Sequence, residues 1–317
     1  MRSLIILATC VVTTLPCGAE MRTWTAKDGK TIEAEFVDAR NGRVMLRGAD
    51  GKQMSTSFTV LSEQDQAFIE SRFKEAKEKA AAEAKAADEA AAKEKQERHA
   101  AVLAKWKPGQ ISSCVTTGDT KTSYHVYIPT SFDPDKPLPL VYAFSPGGNG
   151  KGQLNSMQQS AEKVGWIVVG CDNLKNGMDK VDAQKIEDDI LSCVQTTVPH
   201  DTKRVYLSGM SGGALRSYQI AGRRQDMEFA GILAFGGWLG GKECQENCSL
   251  PKRGGAVAMV NGDKDKNANA WLQNDAEAIK RRKWEVKIFH FPGGHTMAPP
   301  AVIDEAIAWI QDQRLPK

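Results

Sequence analysis

The residues with the most chemical promise are a serine, a histidine and an aspartate in the C-terminal part of the chain. Gly209-Met210-Ser211-Gly212-Gly213 fits G-x-S-x-G, a pattern that sets a serine hydroxyl on a sharp turn between a strand and a helix. Alone the pattern is weak, because a Gly-rich turn with a capping serine satisfies it too. Its surroundings say more. Arg204-Val-Tyr-Leu-Ser208 ahead of it reads as a strand and 212–224 behind it as a helix, the setting that leaves a nucleophile exposed at a strained corner. A serine hydroxyl attacks an acyl carbon only when a base takes its proton. Of the 5 histidines, His99 lies in a charged helical stretch, His125 and His290 fall within predicted strands, and His200 sits in a polar turn. His295 stands in Phe291-Pro-Gly-Gly-His-Thr296, a flexible loop after the last predicted strand. That loop and the serine corner belong to the same carboxyl edge of a parallel sheet, where such sheets place ligands.

The base needs a carboxylate to orient its ring. Val260-Asn-Gly-Asp-Lys-Asp265 follows the predicted strand 256–259 and offers Asp263 and Asp265. The Gly262-x-x-Asp265 spacing favours Asp265, with Asp263 as the alternative. The resulting order, Ser…Asp…His, differs from that of chymotrypsin and subtilisin. A tetrahedral intermediate also needs backbone donors at its oxyanion. Gly212, directly after the serine, supplies one. The second is expected from Ser145-Pro146-Gly147-Gly148-Asn149-Gly150, where Pro146 has no N–H, so Gly147 is the candidate and Gly148 the reserve. This chemistry calls for no metal and no organic cofactor.

The elements that must position these residues alternate in type. Strands are predicted at 123–128, 138–144, 166–171, 205–208, 231–235, 256–259 and 286–291, with helices at 153–164, 183–198, 212–224, 267–282 and 301–312. Alternation of this kind implies an α/β domain over 108–317, a mostly parallel sheet with helices on both faces. Continuous apolar runs such as Leu138-Pro-Leu-Val-Tyr-Ala-Phe144 fit strands covered on both sides.

Ahead of this lie three other pieces. Residues 20–70 read as a small all-β unit, with alternating runs at 22–26, 31–38, 43–47 and 53–60 separated by Asp28-Gly29, Asn41-Gly42 and Asp50-Gly51, dipeptides suited to tight hairpin turns. Ser62 is placed to cap a helix. Residues 71–107 are rich in Ala, Lys and Glu and predict a solvated helical linker of roughly 50 Å at ~1.5 Å per residue. Its apolar stripe is mostly alanine, too weak for a convincing coiled coil. At the start, Met1-Arg2, the apolar run from Leu4 to Leu15 and the small residues Cys17-Gly18-Ala19 form a signal-peptide pattern over 1–19. The expectation is an exported protein, periplasmic or extracellular, whose mature chain begins near Glu20. No later segment is long and apolar enough for a stable membrane span.

Basic and acidic side chains nearly balance, 42 against 39, so no global charge points to nucleic acid. Export permits disulfides. The mature chain would hold Cys114, Cys171, Cys193, Cys244 and Cys248, an odd number, and Cys244 with Cys248, four apart in a Gly-rich charged loop, is the expected bridge.

Two resemblances rest on these residues. Arg22-Thr-Trp-Thr25, Asp28-Gly29, Ile32-Glu-Ala-Glu-Phe-Val37, Gly42-Arg-Val-Met-Leu-Arg47, Asp50-Gly-Lys52 and Leu61-Ser-Glu-Gln-Asp-Gln66 resemble the SLA homology domain, a small SH3-like module. In the eukaryotic adaptor it is named for, that module binds short peptides, which implies a protein or peptide partner; a spacing role is the alternative. Tyr124-His-Val-Tyr-Ile-Pro129, Pro139-Leu-Val-Tyr142, Arg204-Val-Tyr-Leu-Ser-Gly-Met-Ser-Gly-Gly213, Gly262-Asp-Lys-Asp265 and Gly293-Gly-His-Thr296 resemble the exported α/β-hydrolase esterases, the branch of polyhydroxybutyrate depolymerases and feruloyl or acetylxylan esterases. The resemblance implies a serine carboxylesterase acting on a small or polymer-linked ester, with Ser211 as nucleophile, His295 as base and Asp265 as its orienting acid. The family usually has His-Gly where this chain has Ser145-Pro146. Two other readings share the fold: a prolyl-oligopeptidase-like serine peptidase without its propeller, and a non-catalytic binding protein with a degenerate hydrolase domain.

Overall fold

The computed structural model describes residues 20–252 and 254–313, so the expected signal peptide lies outside the described residues. The chain divides into two compact units between Glu97 and Arg98.

In the first unit, β1 (Met21–Thr25), β2 (Thr31–Arg40), β3 (Arg43–Gly48) and β4 (Gln53–Ser57) pair antiparallel in chain order. Asn41 and Gly42 both take positive φ, 49° and 75°, the tight-turn geometry that Asn-Gly favours. The register slips at a bulge between Phe36 and Asp38, so inward residues fall on both sides of it. Trp24, Ala34, Val44, Leu46, Leu61 and Ile69 form the core, and the Trp24 indole donates to the Ala34 carbonyl at 2.9 Å. The last predicted strand ends early, with Phe58–Val60 forming one 3-10 turn. Helix α1 (Glu63–Lys105) then starts behind Ser62, whose hydroxyl accepts from the Asp65 amide at 3.2 Å.

The second unit holds β5 (Ile111–Val115), β6 (Ser123–Tyr127), β7 (Leu140–Phe144), α2 (Gly150–Val164), β8 (Ile167–Cys171), α3 (Lys180–Thr197), β9 (Val205–Met210), α4 (Gly212–Arg223), β10 (Gly231–Phe235), α5 (Lys242–Glu246), β11 (Ala256–Gly262), α6 (Lys266–Asn269), α7 (Leu272–Arg281), β12 (Glu285–Phe291) and α8 (Pro300–Gln311). The sheet order is β12-β11-β10-β9-β7-β8-β6-β5. It is parallel from β12 to β8, while β6 runs antiparallel to both β8 and β5. This is the α/β-hydrolase architecture with a small all-β unit ahead of it. Residues of α3, α4 and α7 pack into the core on one face, and those of α2 and α8 into the core on the other.

Further details in the second unit depart from the sequence reading. β5 was not anticipated: it is an edge strand with no buried residue, so it lacks the apolar run that marks β7 or β8. The helix expected over 267–282 is two, because the Asp265 side chain caps α6 by accepting from the Ala268 amide and a new helix starts after Trp271. The expected Cys244–Cys248 bridge is absent, and both thiols are free. Cys244 is exposed on α5, while Cys248 is turned against the core under α4 and α7, where burial pushes its thiol pKa up.

Candidate active site

Ser211 sits between β9, a central strand, and α4 with φ 55° and ψ −117°. A non-glycine residue held there costs about 1–3 kcal/mol, so its surroundings must impose it. Its amide donates to Phe235 O on β10 at 2.8 Å. Two residues on, a Cβ built on Gly213 would lie 2.1 Å from Phe144 O of β7, so only glycine lets α4 begin this close to the sheet. The outcome is a serine hydroxyl standing clear of the backbone at the sheet's carboxyl edge.

His295 comes from the loop between β12 and α8. That loop is tied to the exit of β11, with the Asp263 amide donating to Phe291 O at 2.9 Å and the Lys264 amide to Gly293 O at 2.8 Å. His295 Nε2 lies 2.8 Å from Ser211 Oγ, and His295 Nδ1 lies 2.7 Å from Asp265 Oδ2. The Asp265 side chain is 1% exposed and that of His295 37%. The acid is therefore shielded from water, while the base meets solvent on its serine side. The Asp265 Oδ1 atom is taken by the α6 amide, which fixes the carboxylate plane. Asp263 is the candidate the structure leaves out: it is half-exposed and faces His290, 3.7 Å away.

The two expected oxyanion donors differ in state. Gly212 opens α4, so its amide has no carbonyl one turn earlier to bond. Gly147's amide donates to Ser145 Oγ at 3.3 Å, a long bond within its own loop. Gly148, the reserve, donates to Ser145 O at 3.2 Å.

Beside the serine opens a cavity of about 650 Å³ whose lining includes Ser211, Gly212, Asn176, Met178, Leu215 and Trp238. Asn176 was missed by the sequence reading. A Cβ on Gly212 would meet its carboxamide oxygen at 1.9 Å, so Asn176 occupies the space that a side chain following the nucleophile would fill. The loop carrying it is fastened to the oxyanion loop, with the Asn176 amide donating to Pro146 O at 2.8 Å and the Asn173 amide to Gly148 O at 2.9 Å. No local motif marks it; the only signal is a Gly after the serine, which leaves room for a neighbour. Trp238 lines the cavity, whereas Trp271 lies against Gly241. A hydroxyl, a base, a buried acid and the open Gly212 amide around one point can support attack on an acyl carbon.

Residues 13–77 match the family model SLA1 homology domain 1, so the N-terminal segment resembles that module. The C-terminal unit resembles α/β-hydrolase esterases in fold. A CE1 ferulic acid esterase from Anaeromyces mucronatus, solved with ferulic acid, is 17% identical over 64% of this chain and 90% of its own, with a TM-score of 0.50. A candidate dipeptidyl aminopeptidase IV from Bacteroides ovatus is 15% identical over 94% of this chain and 43% of its own, with a TM-score of 0.51. An S-formylglutathione hydrolase from Agrobacterium tumefaciens is 16% identical over 63% and 92%, with a TM-score of 0.47. No curated protein sequence matches the chain. Among the described residues no helix is long and apolar enough to cross a membrane.

Proposed function

We propose that this chain is an exported serine hydrolase that cleaves carboxylic esters through an acyl-enzyme. The observation that carries the reading is the line of two short hydrogen bonds from Ser211 through His295 to Asp265, set on a strained corner. In the reaction Ser211 Oγ attacks the ester carbonyl carbon as His295 Nε2 takes its proton. The Gly212 amide meets the oxyanion, joined by the Gly147 amide once its long bond to Ser145 is given up. Collapse of the intermediate expels the alcohol, which receives the proton from His295. Water then attacks the acyl group by the same route in reverse, returning the carboxylic acid and free Ser211. Asp265 keeps the imidazole in the tautomer that presents a basic Nε2 and stabilises the imidazolium.

The test is labelling of the mature protein with a fluorophosphonate probe beside Ser211→Ala and His295→Ala, followed by turnover of short-chain p-nitrophenyl esters and of a dipeptidyl anilide. The expected result is labelling lost in both variants and turnover of esters over anilide. Folded wild type that neither labels nor turns over any ester overturns the reading; anilide turnover in excess of ester turnover makes it a peptidase. Export is tested by fractionating cells and finding Glu20 or a near neighbour at the N-terminus of the mature chain.

A further inference from the structure

The cavity beside Ser211 has a direction and a charge. It follows one side of α4, where Leu215, Arg216, Gln219 and Arg223 succeed one another. At ~1.5 Å per residue, Arg216 stands about 8 Å along the helix from Ser211 and Arg223 about 18 Å. The opposite wall comes from α3 and the loop before it, and brings Lys175, Lys180 and Glu187. The lining thus holds four basic side chains and one acidic one. That one carboxylate is already committed. Glu187 is buried and accepts from Arg216 Nη1 at 2.6 Å and from Arg223 Nη2 at 2.8 Å. Arg223 also meets Asp188. Lys175 and Lys180 pair with no carboxylate among the described residues, and both are exposed at the cavity. Arg216 Nη2 also donates to Lys175 O at 3.4 Å, which ties the lysine-bearing loop to the half-buried arginine. A long cleft with surplus positive charge raises the local concentration of anions and disfavours cations.

Resting on the proposed ester hydrolysis, we infer that the substrate carries an anionic group, a carboxylate or a comparable oxyanion, on the part that lies along α4. Lys175 and Lys180 select it, and the Arg216–Glu187–Arg223 cluster holds the wall that presents them. Asn176 and Trp238, nearer the serine, face the portion between the ester and the charge.

The experiment compares matched charged and neutral esters with the purified full chain. p-Nitrophenyl hemisuccinate against p-nitrophenyl butyrate tests charge on the acyl side, and 4-acetoxybenzoate against phenyl acetate tests it on the alcohol side. Each kcat/KM is divided by the ester's rate with hydroxide. The expected result is a preference of about tenfold for the charged member of one pair. It falls about threefold in Lys175→Gln and in Lys180→Gln, nearly vanishes in the double variant, and weakens in 0.5 M salt, a condition that screens exposed charges over about 4 Å. Equal or inverse preference in both pairs, or a preference that survives the double variant, overturns the inference while fluorophosphonate labelling and neutral-ester turnover leave the hydrolase reading standing. Loss of labelling and turnover altogether overturns both.

Discussion

The second unit contains two hydrogen-bonded lines of serine, histidine and aspartate, and they differ in the backbone and the space around the serine. Toward the β5 end of the strand order, Ser113 Oγ lies 2.9 Å from His125 Nδ1, and His125 Nε2 lies 2.9 Å from Asp172 Oδ2. By residue types and distances this line rivals Ser211, His295 and Asp265. The backbone separates them. Ser113 is a register partner of His125 on the edge strand β5 and has none of the positive φ of Ser211. No helix begins after it, so no first-turn amide faces its hydroxyl, and it does not line the cavity beside Ser211. Asp172 is already a busy acceptor, taking the Ser123 hydroxyl at 2.7 Å and the Gly150 amide at 2.8 Å. It ties the start of α2 to β6 and β8. Asp265 by contrast gives one oxygen to the α6 amide and keeps the other for His295. A hydroxyl becomes a nucleophile where the main chain also offers somewhere for the developing negative charge to go.

The largest expected effects test whether the two lines differ as described. Ser211→Ala or His295→Ala should lower ester kcat by about 10⁴-fold or more and abolish probe labelling. Ser113→Ala and His125→Ala should leave labelling at the wild-type level; loss of labelling in either would mean that the edge line reacts. The two acids should then part in kind. Asp265→Asn is expected to cost about 10³- to 10⁴-fold in kcat through the wrong histidine tautomer with little change in melting temperature. Asp172→Asn should instead cost about 1–3 kcal/mol of stability, since it weakens the acceptor for three buried or half-buried donors, and thermal denaturation would register this as a drop of several degrees.

A smaller effect probes the amide that Ser145 engages. Ser145→Ala removes the acceptor that holds the Gly147 amide, and kcat should rise by about two- to fivefold, a gain on the order of a weakened hydrogen bond. An unchanged or lowered kcat would assign the second donor elsewhere, with Asn176 the next residue to vary.

The smallest concerns a third carboxylate that, like Asp172, serves as a structural acceptor. Glu162 accepts from the Thr130 hydroxyl, from Tyr127 Oη at 2.5 Å and from the Thr130 amide at 3.0 Å. Hydrogen bonds from Thr130 and then Tyr127 hold its carboxyl below the usual range. A depressed carboxylate contributes stability that is present above its unfolded pKa, about 4.3, and is lost as pH falls through the lower folded value. Glu162→Gln should therefore lower stability at pH 7 by roughly 0.5–1 kcal/mol, given its exposure. The gap should close as pH falls through that lowered folded value. A gap that is constant with pH would mean packing, not charge, sets it.

Much of this was legible in the residues themselves. Continuous apolar runs located β7, β8 and β10, and Asn41-Gly42 gave the tight turn of the first unit, because periodicity and turn chemistry are written within a few neighbouring positions. The serine corner was legible for the same reason: strand, glycines and helix adjoin one another in sequence. β5 was not, since an edge strand buries too little to need an apolar pattern. His125 was correctly read as a strand residue, but nothing in its neighbourhood revealed that Ser113 and Asp172 flank it.

What the sequence determined by itself was the identity and order of the groups: a serine on a Gly-rich corner, two aspartates after a strand, a histidine in a late loop. What only the tertiary structure decided was which of them meet. Ser211 and His295 are 84 positions apart, and their contact depends on β9, β10, β11 and β12 lying side by side in one parallel register. The pairing of His295 with Asp265, the seat of Asn176 on Gly212 and the meeting of α3 with α4 along the charged cavity are of this kind. Each is a contact between segments that no local pattern links, and it exists because the sheet order brings those segments to one edge.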